Sequence, residues 1–178
     1  MDDRSDALVA ASKLVAAVPR LAAAEGPAVA TVGEVRVEPG ARNVVPGLVH
    51  GTLDIRHPED AAVDRLLGEV LAEGARIAED AGCTFSWEPA WRSPSVRFDD
   101  QVIGAVADSA ERRNVASMRL TSGAGHDAVH MSSICASGMI FVPSRDGISH
   151  SPREYTSYEE LAAGATVLAE ALVTLATQ

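Results

Sequence analysis

Two histidines stand in turns with little side-chain bulk. Thr121-Ser-Gly-Ala-Gly-His-Asp-Ala128 holds His126, and 24 residues further on Gly147-Ile-Ser-His-Ser-Pro152 holds His150. A glycine- and serine-rich main chain lets an imidazole face a ligand or metal instead of a packed core, where it can coordinate, donate a hydrogen bond or carry a proton. Each histidine taken alone also fits a solvated loop residue; the pairing of two such turns marks a candidate site. The stretch 126–135 reads as a helix opened by the Ser-Gly-Ala-Gly turn, whose unpaired backbone N–H groups would face an anion or a substrate oxygen. His150 follows the apolar run Met139-Ile-Phe-Val142, which reads as a buried parallel strand, and lies past its carboxyl end, where α/β sheets place ligands. One imidazole does not make a zinc site. Asp127 is either a partner for one of these histidines or a charge at a helix start. His130, one turn after His126, lacks the glutamate of an HExxH pair, and His50 and His57 read as residues of a strand surface and its exit.

The rest of the composition narrows the partners. The 178 residues carry a net charge of −10, and of the fifteen basic residues only Lys13 is a lysine. The arginines are scattered, so no stripe exists for a phosphate backbone and nucleic acid is excluded as the expected partner. The apolar stretch 7–24 is interrupted by Ser12, Lys13, Pro19 and Arg20 and has neither the basic start nor the cleavage pattern of a signal peptide, so the expectation is no membrane span and a cytoplasmic location. Cys83 and Cys135 lie 52 residues apart without metal-binding spacing and read as buried free thiols.

Two unlike parts must position these residues. From Ser5 to Ala24, Leu8, Val9, Ala11, Val15, Val18 and Leu21 recur at helical spacing behind an acidic start. Val29 to Glu38 alternates through Val29, Thr31, Gly33, Val35 and Val37 as a half-buried strand. Val49, Gly51, Leu53 and Ile55 form a second, with His50, Thr52, Asp54 and Arg56 on its other face. The short Gly/Pro connection implies an antiparallel pair. Pro58-Glu59-Asp60 opens a helix with Val63, Leu66, Leu67, Val70, Leu71, Ala75 and Ile77 on its apolar face, ending near Gly82, and Thr84 to Trp91 reads as a third strand. The order α-β-β-α-β is that of a ferredoxin-like split βαβ without its first strand. After a linker near Ser93-Pro94 come a helix over 99–113, a short strand over 117–120, the two histidine turns, and a final helix over 158–176 with Ser157 and Glu160 as a capping box. The fold class expected is α/β: an α+β domain over 1–92 followed by α/β elements over 93–178.

At these residues the chain resembles a known family. Ser122-Gly-Ala-Gly-His-Asp127, Met139-Ile-Phe-Val-Pro-Ser144 and Gly147-Ile-Ser-His-Ser-Pro152 are similar to the C-terminal motifs of the zinc-dependent M20-type amidohydrolases, the branch of N-carbamoyl-L-amino-acid hydrolases, β-ureidopropionases and allantoate amidohydrolases. Val37-Glu-Pro-Gly-Ala-Arg-Asn-Val-Val-Pro-Gly47 and Leu53-Asp-Ile-Arg-His-Pro58 resemble the family's ferredoxin-like lid, or dimerisation, domain. The resemblance implies a lid over 1–92 and the C-terminal part of a zinc-peptidase-like catalytic domain over 93–178.

Carried over by position, it implies that His150 is a ligand to one of two bridged Zn²⁺ or Mn²⁺ ions and that His126 contacts the scissile ureido or amide group. Asn43 and Arg56 match lid residues that grip the substrate carboxylate across a homodimer; the bland reading of Arg56 is a pair with Asp54 or neighbours of Glu38. Gly123, Ala124 and Gly125 match backbone lying along the substrate. The implied substrate is a small carbamoyl or ureido acid. In such a family the remaining ligands, and a glutamate acting as general base, come from an N-terminal half that has no counterpart in these residues. The expectation is a C-terminal fragment inactive alone. Its alternatives are a non-catalytic dimerisation module and one half of a split enzyme whose partner is a separate N-terminal half.

Overall fold

The computed structural model describes residues 4–177. The chain divides into two compact units, Met1–Ser95 and Val96–Gln178; together they mix helix and strand, as the α/β class requires, with both strands of the described residues in the first unit.

In the first unit, α1 (Ala7–Ala24) is capped by Asp6, whose carboxylate accepts from the N–H groups of Leu8 and Val9. By length and composition α1 is apolar enough to cross a membrane. Here it packs against α2 (Asp60–Asp80) and the sheet formed by β1 (Val29–Glu38) and β2 (Leu48–Arg56). Val18, Ala22, Leu66 and Val70 form the core, with Leu14, Leu21, Ala30, Val32 and Ile55 partly buried against it. The inward stripe of α1 therefore runs through Ala10, Leu14, Ala17, Val18 and Ala22. Leu8, Val9 and Val15, which the sequence places inward, are exposed. Alanine at the contact lets helix axes approach closely, so the small residues take the interface and the larger ones the outer face.

β1 and β2 pair antiparallel, with Val29 opposite Arg56 and Glu38 opposite Leu48. A register shift falls between Val32 and Glu34. Such a bulge adds one residue to one strand and inverts the facing of everything on one side of it. Ala30 and Val32 consequently turn toward the helices, whereas Val29 and Thr31, expected inward, are exposed; beyond Gly33 the expected Val37 is the half-buried one.

The expected third strand, Thr84 to Trp91, forms no ladder among the described residues, whose sheet has two strands. The segment instead runs back along α2. Phe85 lies over Gly74, where a Cβ would come within 2.8 Å of the ring. Arg92 pairs with Asp64 at 2.5 Å, and Ser95 donates to Asp60 from its N–H at 2.8 Å. A strand needs a neighbour to satisfy its backbone, and none of the described residues offers one.

In the second unit, α3 (Asp100–Arg112), capped by Asp99, packs against α5 (Tyr158–Ala176). The expected capping box is present in full: Ser157 accepts from the Glu160 N–H while Glu160 accepts from the Ser157 N–H. Between these helices, Met139 to Val142 joins no ladder among the described residues, with Val142 seated on Gly164 and Gly138 against Val102. The expected buried parallel strand is thus only half-buried, with Phe141 54% exposed. Residues 117–120 likewise form no strand, and Met118 and Leu120 are exposed. The reason is the same in both, since neither finds a ladder partner among the described residues.

Both cysteines are free. Cys83 is half-buried and Cys135 exposed, which corrects the expectation of buried thiols.

Arg112 of α3 and its C-cap residue Arg113 both bind Glu170 of α5, Arg112 Nε at 2.5 Å. Hydrogen bonds from Arg112 first and Arg113 second hold the Glu170 carboxyl below the usual carboxylate range. A carboxylate with a lowered folded pKa adds stability that is complete above its unfolded value and is lost as pH falls through the folded one. The thermal midpoint should therefore fall as pH drops through and below the ordinary carboxylate range, and Glu170→Gln should flatten part of that fall. An identical acid limb in parent and variant would show that the pair contributes nothing.

Candidate functional site

The turn before His126 is held locally, with Ser122 Oγ donating to the Ala124 carbonyl at 3.2 Å and accepting from the Ala124 N–H at 3.3 Å. The helix that follows, α4 (Asp127–Met131), is shorter than the expected 126–135 and is succeeded by a turn running to Cys135. His126 is itself the N-cap. Its Nδ1 accepts from the Ala128 N–H at 3.0 Å, with φ −150° and ψ 153° at the cap residue. The imidazole is exposed, and its Nε2 makes no hydrogen bond among the described residues. Asp127 sits in the first turn of α4 and bonds neither histidine, which leaves it as a helix-start charge. His130 occupies the last turn.

Gly123 and Gly125 are not explained by the fold. Neither has a φ in the left-handed region, and a Cβ built on either meets nothing within 4 Å among the described residues. There is therefore steric room for a methyl group at Gly125. A Gly→Ala change at an unstrained position stabilises by about 0.4–1 kcal/mol through the unfolded chain, so Gly125→Ala should hold or raise the chemical denaturation midpoint. A clear drop would mean that the glycine serves the fold after all.

His150 lies on a loop closed at its neck. The Arg145 N–H donates to the Tyr155 carbonyl at 2.8 Å, and Thr156 Oγ1 to the Pro143 carbonyl at 2.9 Å. The Arg145 guanidinium stacks 4.2 Å from the centre of the Tyr155 ring. Asp146, Gly147 and His150 all take left-handed φ, 58°, 67° and 55°, a conformation uncommon outside glycine. At His150 it is supported by Glu154, whose carboxylate accepts the His150 N–H at 2.8 Å. Glu154 was not legible as a supporting residue, because nothing in its spacing shows that the loop folds back. The exposed imidazole of His150 has no company of ligands: the described residues contain no group of three or more His, Cys, Asp or Glu that could hold a metal. The residues present do not by themselves fit a metal centre.

In the first unit, Asn43 is exposed in the turn joining β1 to β2. Arg56 ends β2 and binds Asp54 of the same strand with two hydrogen bonds, Nε to Oδ1 at 2.7 Å and Nη2 to Oδ2 at 2.9 Å. The hydrogen bond from Arg56 lowers the Asp54 pKa, and Asp54 raises that of Arg56. This is the bidentate geometry with which arginine takes any carboxylate, here spent on a neighbour. A substrate carboxylate would have to displace or share Asp54. His57 Nδ1 accepts from the Glu59 N–H at 2.9 Å, a turn-stabilising role at the strand exit.

The model of peptidase family M20/M25/M40 matches residues 4–174. The chain belongs to this family. Among curated M20 relatives, the N-carbamoyl-L-amino-acid amidohydrolase of Rhizobium meliloti is 37% identical over 174 residues, 97% of this chain and 42% of that protein. Among solved M20 structures, the hydantoinase/carbamoylase-family amidase of Burkholderia multivorans is similar at a TM-score of 0.89 and 39% identity, covering 98% of this chain and 43% of the other. A Bacillus subtilis protein described as a dinuclear metal-binding peptidase of family M20 shares the fold at a TM-score of 0.63 and 19% identity. The chain thus spans well under half the length of these M20 relatives.

Proposed function

We propose that this chain supplies the C-terminal part of a metal-dependent hydrolase of linear amide C–N bonds, acting on carbamoyl, ureido or allantoate-type acids, and that it is inactive alone. The observation that carries the reading is the family match over 4–174, joined to the 37%-identical relative whose name is that of a carbamoyl-amino-acid amidohydrolase. His150 contributes one imidazole to a Zn²⁺ or Mn²⁺ pair whose other ligands lie outside the described residues. His126 meets the scissile group, the backbone of Gly123, Ala124 and Gly125 runs beside the substrate, and Asn43 and Arg56 bind its carboxylate from a neighbouring subunit. The first unit is the lid and the second the catalytic part.

The exposed side chains of the second unit support a missing complement. Tyr158, Leu168, Leu172 and Val173 along α5, and Met118, Ile134 and Phe141 elsewhere, lie open to solvent. Apolar surface on this scale marks an interface. The test is a chimera in which this chain replaces the matched 174-residue segment of the Rhizobium meliloti relative. Hydrolysis of an N-carbamoyl-L-amino acid is expected. A folded chimera that binds metal yet turns nothing over would count against the reading.

Dimerisation through the lid has support of its own. The sheet has two strands, so each has an outer edge without a ladder partner among the described residues, and exposed edges recruit other strands. Sedimentation of the purified chain should show dimers or larger species. A monomer that persists at high concentration would contradict this.

A further inference from the structure

The ring of His126 has two nitrogens, and the fold has already committed one of them. We infer that α4 biases His126 toward its Nε2–H tautomer, so that the neutral ring meets a ligand as a hydrogen-bond donor at Nε2. The Ala128 N–H points at Nδ1 from 3.0 Å, and a nitrogen can accept that bond only when it carries no proton. The Nδ1–H tautomer places a proton where a donor already points, so it would forfeit the cap. Losing an N-cap costs about 1 kcal/mol, which biases the ring roughly five-fold or more toward the form with Nδ1 bare.

The remaining proton then sits on Nε2, at the exposed end of the ring, with no hydrogen-bond partner among the described residues. In sequence His126 directly follows Gly125, where an added Cβ meets nothing within 4 Å among the described residues. A donor fixed in this way suits an oxygen that gains charge during reaction, because its proton needs no reorganisation when the charge appears. It cannot accept a proton from water at Nε2 without first surrendering the one it holds. The consequence for catalysis rests on the function proposed above; the tautomer itself does not.

The test is nuclear magnetic resonance on the nitrogen-15-labelled chain as it stands, at a pH above neutrality and without substrate. A scalar coupling across the hydrogen bond between the Ala128 amide nitrogen and His126 Nδ1, with the ring proton found on Nε2, is the expected result. A ring protonated on Nδ1, or no coupling together with averaged tautomers, would overturn the inference. Two variants keep the outcome interpretable. Asparagine places its side-chain oxygen where Nδ1 stood, so His126→Asn should preserve slow exchange of the Ala128 amide. His126→Gln reaches toward the Nε2 position without capping, and should exchange that amide several-fold faster. Equal protection in both variants would show that the side chain does not cap α4. Because no turnover is read, failure here leaves the proposed amidohydrolase role standing, and failure of that role leaves the tautomer intact.

Discussion

Loaded with Zn²⁺ or Mn²⁺ and offered an N-carbamoyl-L-amino acid, the purified chain is expected to show no hydrolysis above the uncatalysed rate, and to hold either metal only weakly. Hydrolytic metal sites need several protein ligands and leave one position for water or substrate. Among the described residues no cluster of that kind exists, and His150, presented on its left-handed loop, would by itself be a single ligand. A calorimetric metal titration beside a discontinuous assay for the released amino acid checks both halves. Turnover by the isolated chain would mean that the chemistry is complete within these residues and that the reading is wrong.

In the chimera the candidate residues should fail in different ways, because their proposed roles fall at different places on the substrate. His126→Ala should lower the rate by roughly 10²–10³-fold, the loss typical of one oxyanion donor. Arg56→Ala should chiefly weaken binding of substrates with a free carboxylate, raising KM with a smaller change in kcat, and Asn43→Ala should follow the same pattern. If the lid serves its neighbour's site, mixing Arg56→Ala with His150→Ala subunits should restore part of the activity, since one site in such a dimer keeps both residues. Asp54 complicates Arg56 usefully. Held on two hydrogen bonds by the same guanidinium, it would compete with a substrate carboxylate for Arg56, so Asp54→Asn should lower KM for carboxylate substrates. Unchanged kinetics in Arg56→Ala, or no rescue in the mixed dimer, would show that the carboxylate is gripped elsewhere.

Periodicity and turn chemistry made much of the frame legible. Alternation marked β1 and β2, the 3.6-residue repeat marked α1 and α2, and Ser157 with Glu160 marked the start of α5, because each of these signals is local. What the sequence misplaced depends on neighbours. The core stripe of α1 runs along its alanines because close helix packing favours small residues, a preference invisible to a count of large apolar positions. The inward face of β1 switches at the bulge near Gly33, and one inserted residue is enough to invert an alternating pattern. Thr84 to Trp91 and Met139 to Val142 have strand-like composition, but a ladder is a property of two segments and the described residues supply only one. At the site, the sequence singled out His126 and His150 by their turns. That His126 caps its own helix, and that Glu154 supports the His150 backbone, follow from how the chain folds back within a few residues and leave no mark in spacing.

The central claim, that this chain lends one metal ligand and one substrate-facing histidine to a site completed by other protein, is tested most directly by metal content. The chimera and its His150→Ala and His126→Ala variants would be dialysed against metal-free buffer and measured by atomic emission. The parent and His126→Ala should retain the same metal per subunit, while His150→Ala should lose it. Full metal in His150→Ala would contradict the assignment of His150, and loss of metal in His126→Ala would contradict the separation of the two roles.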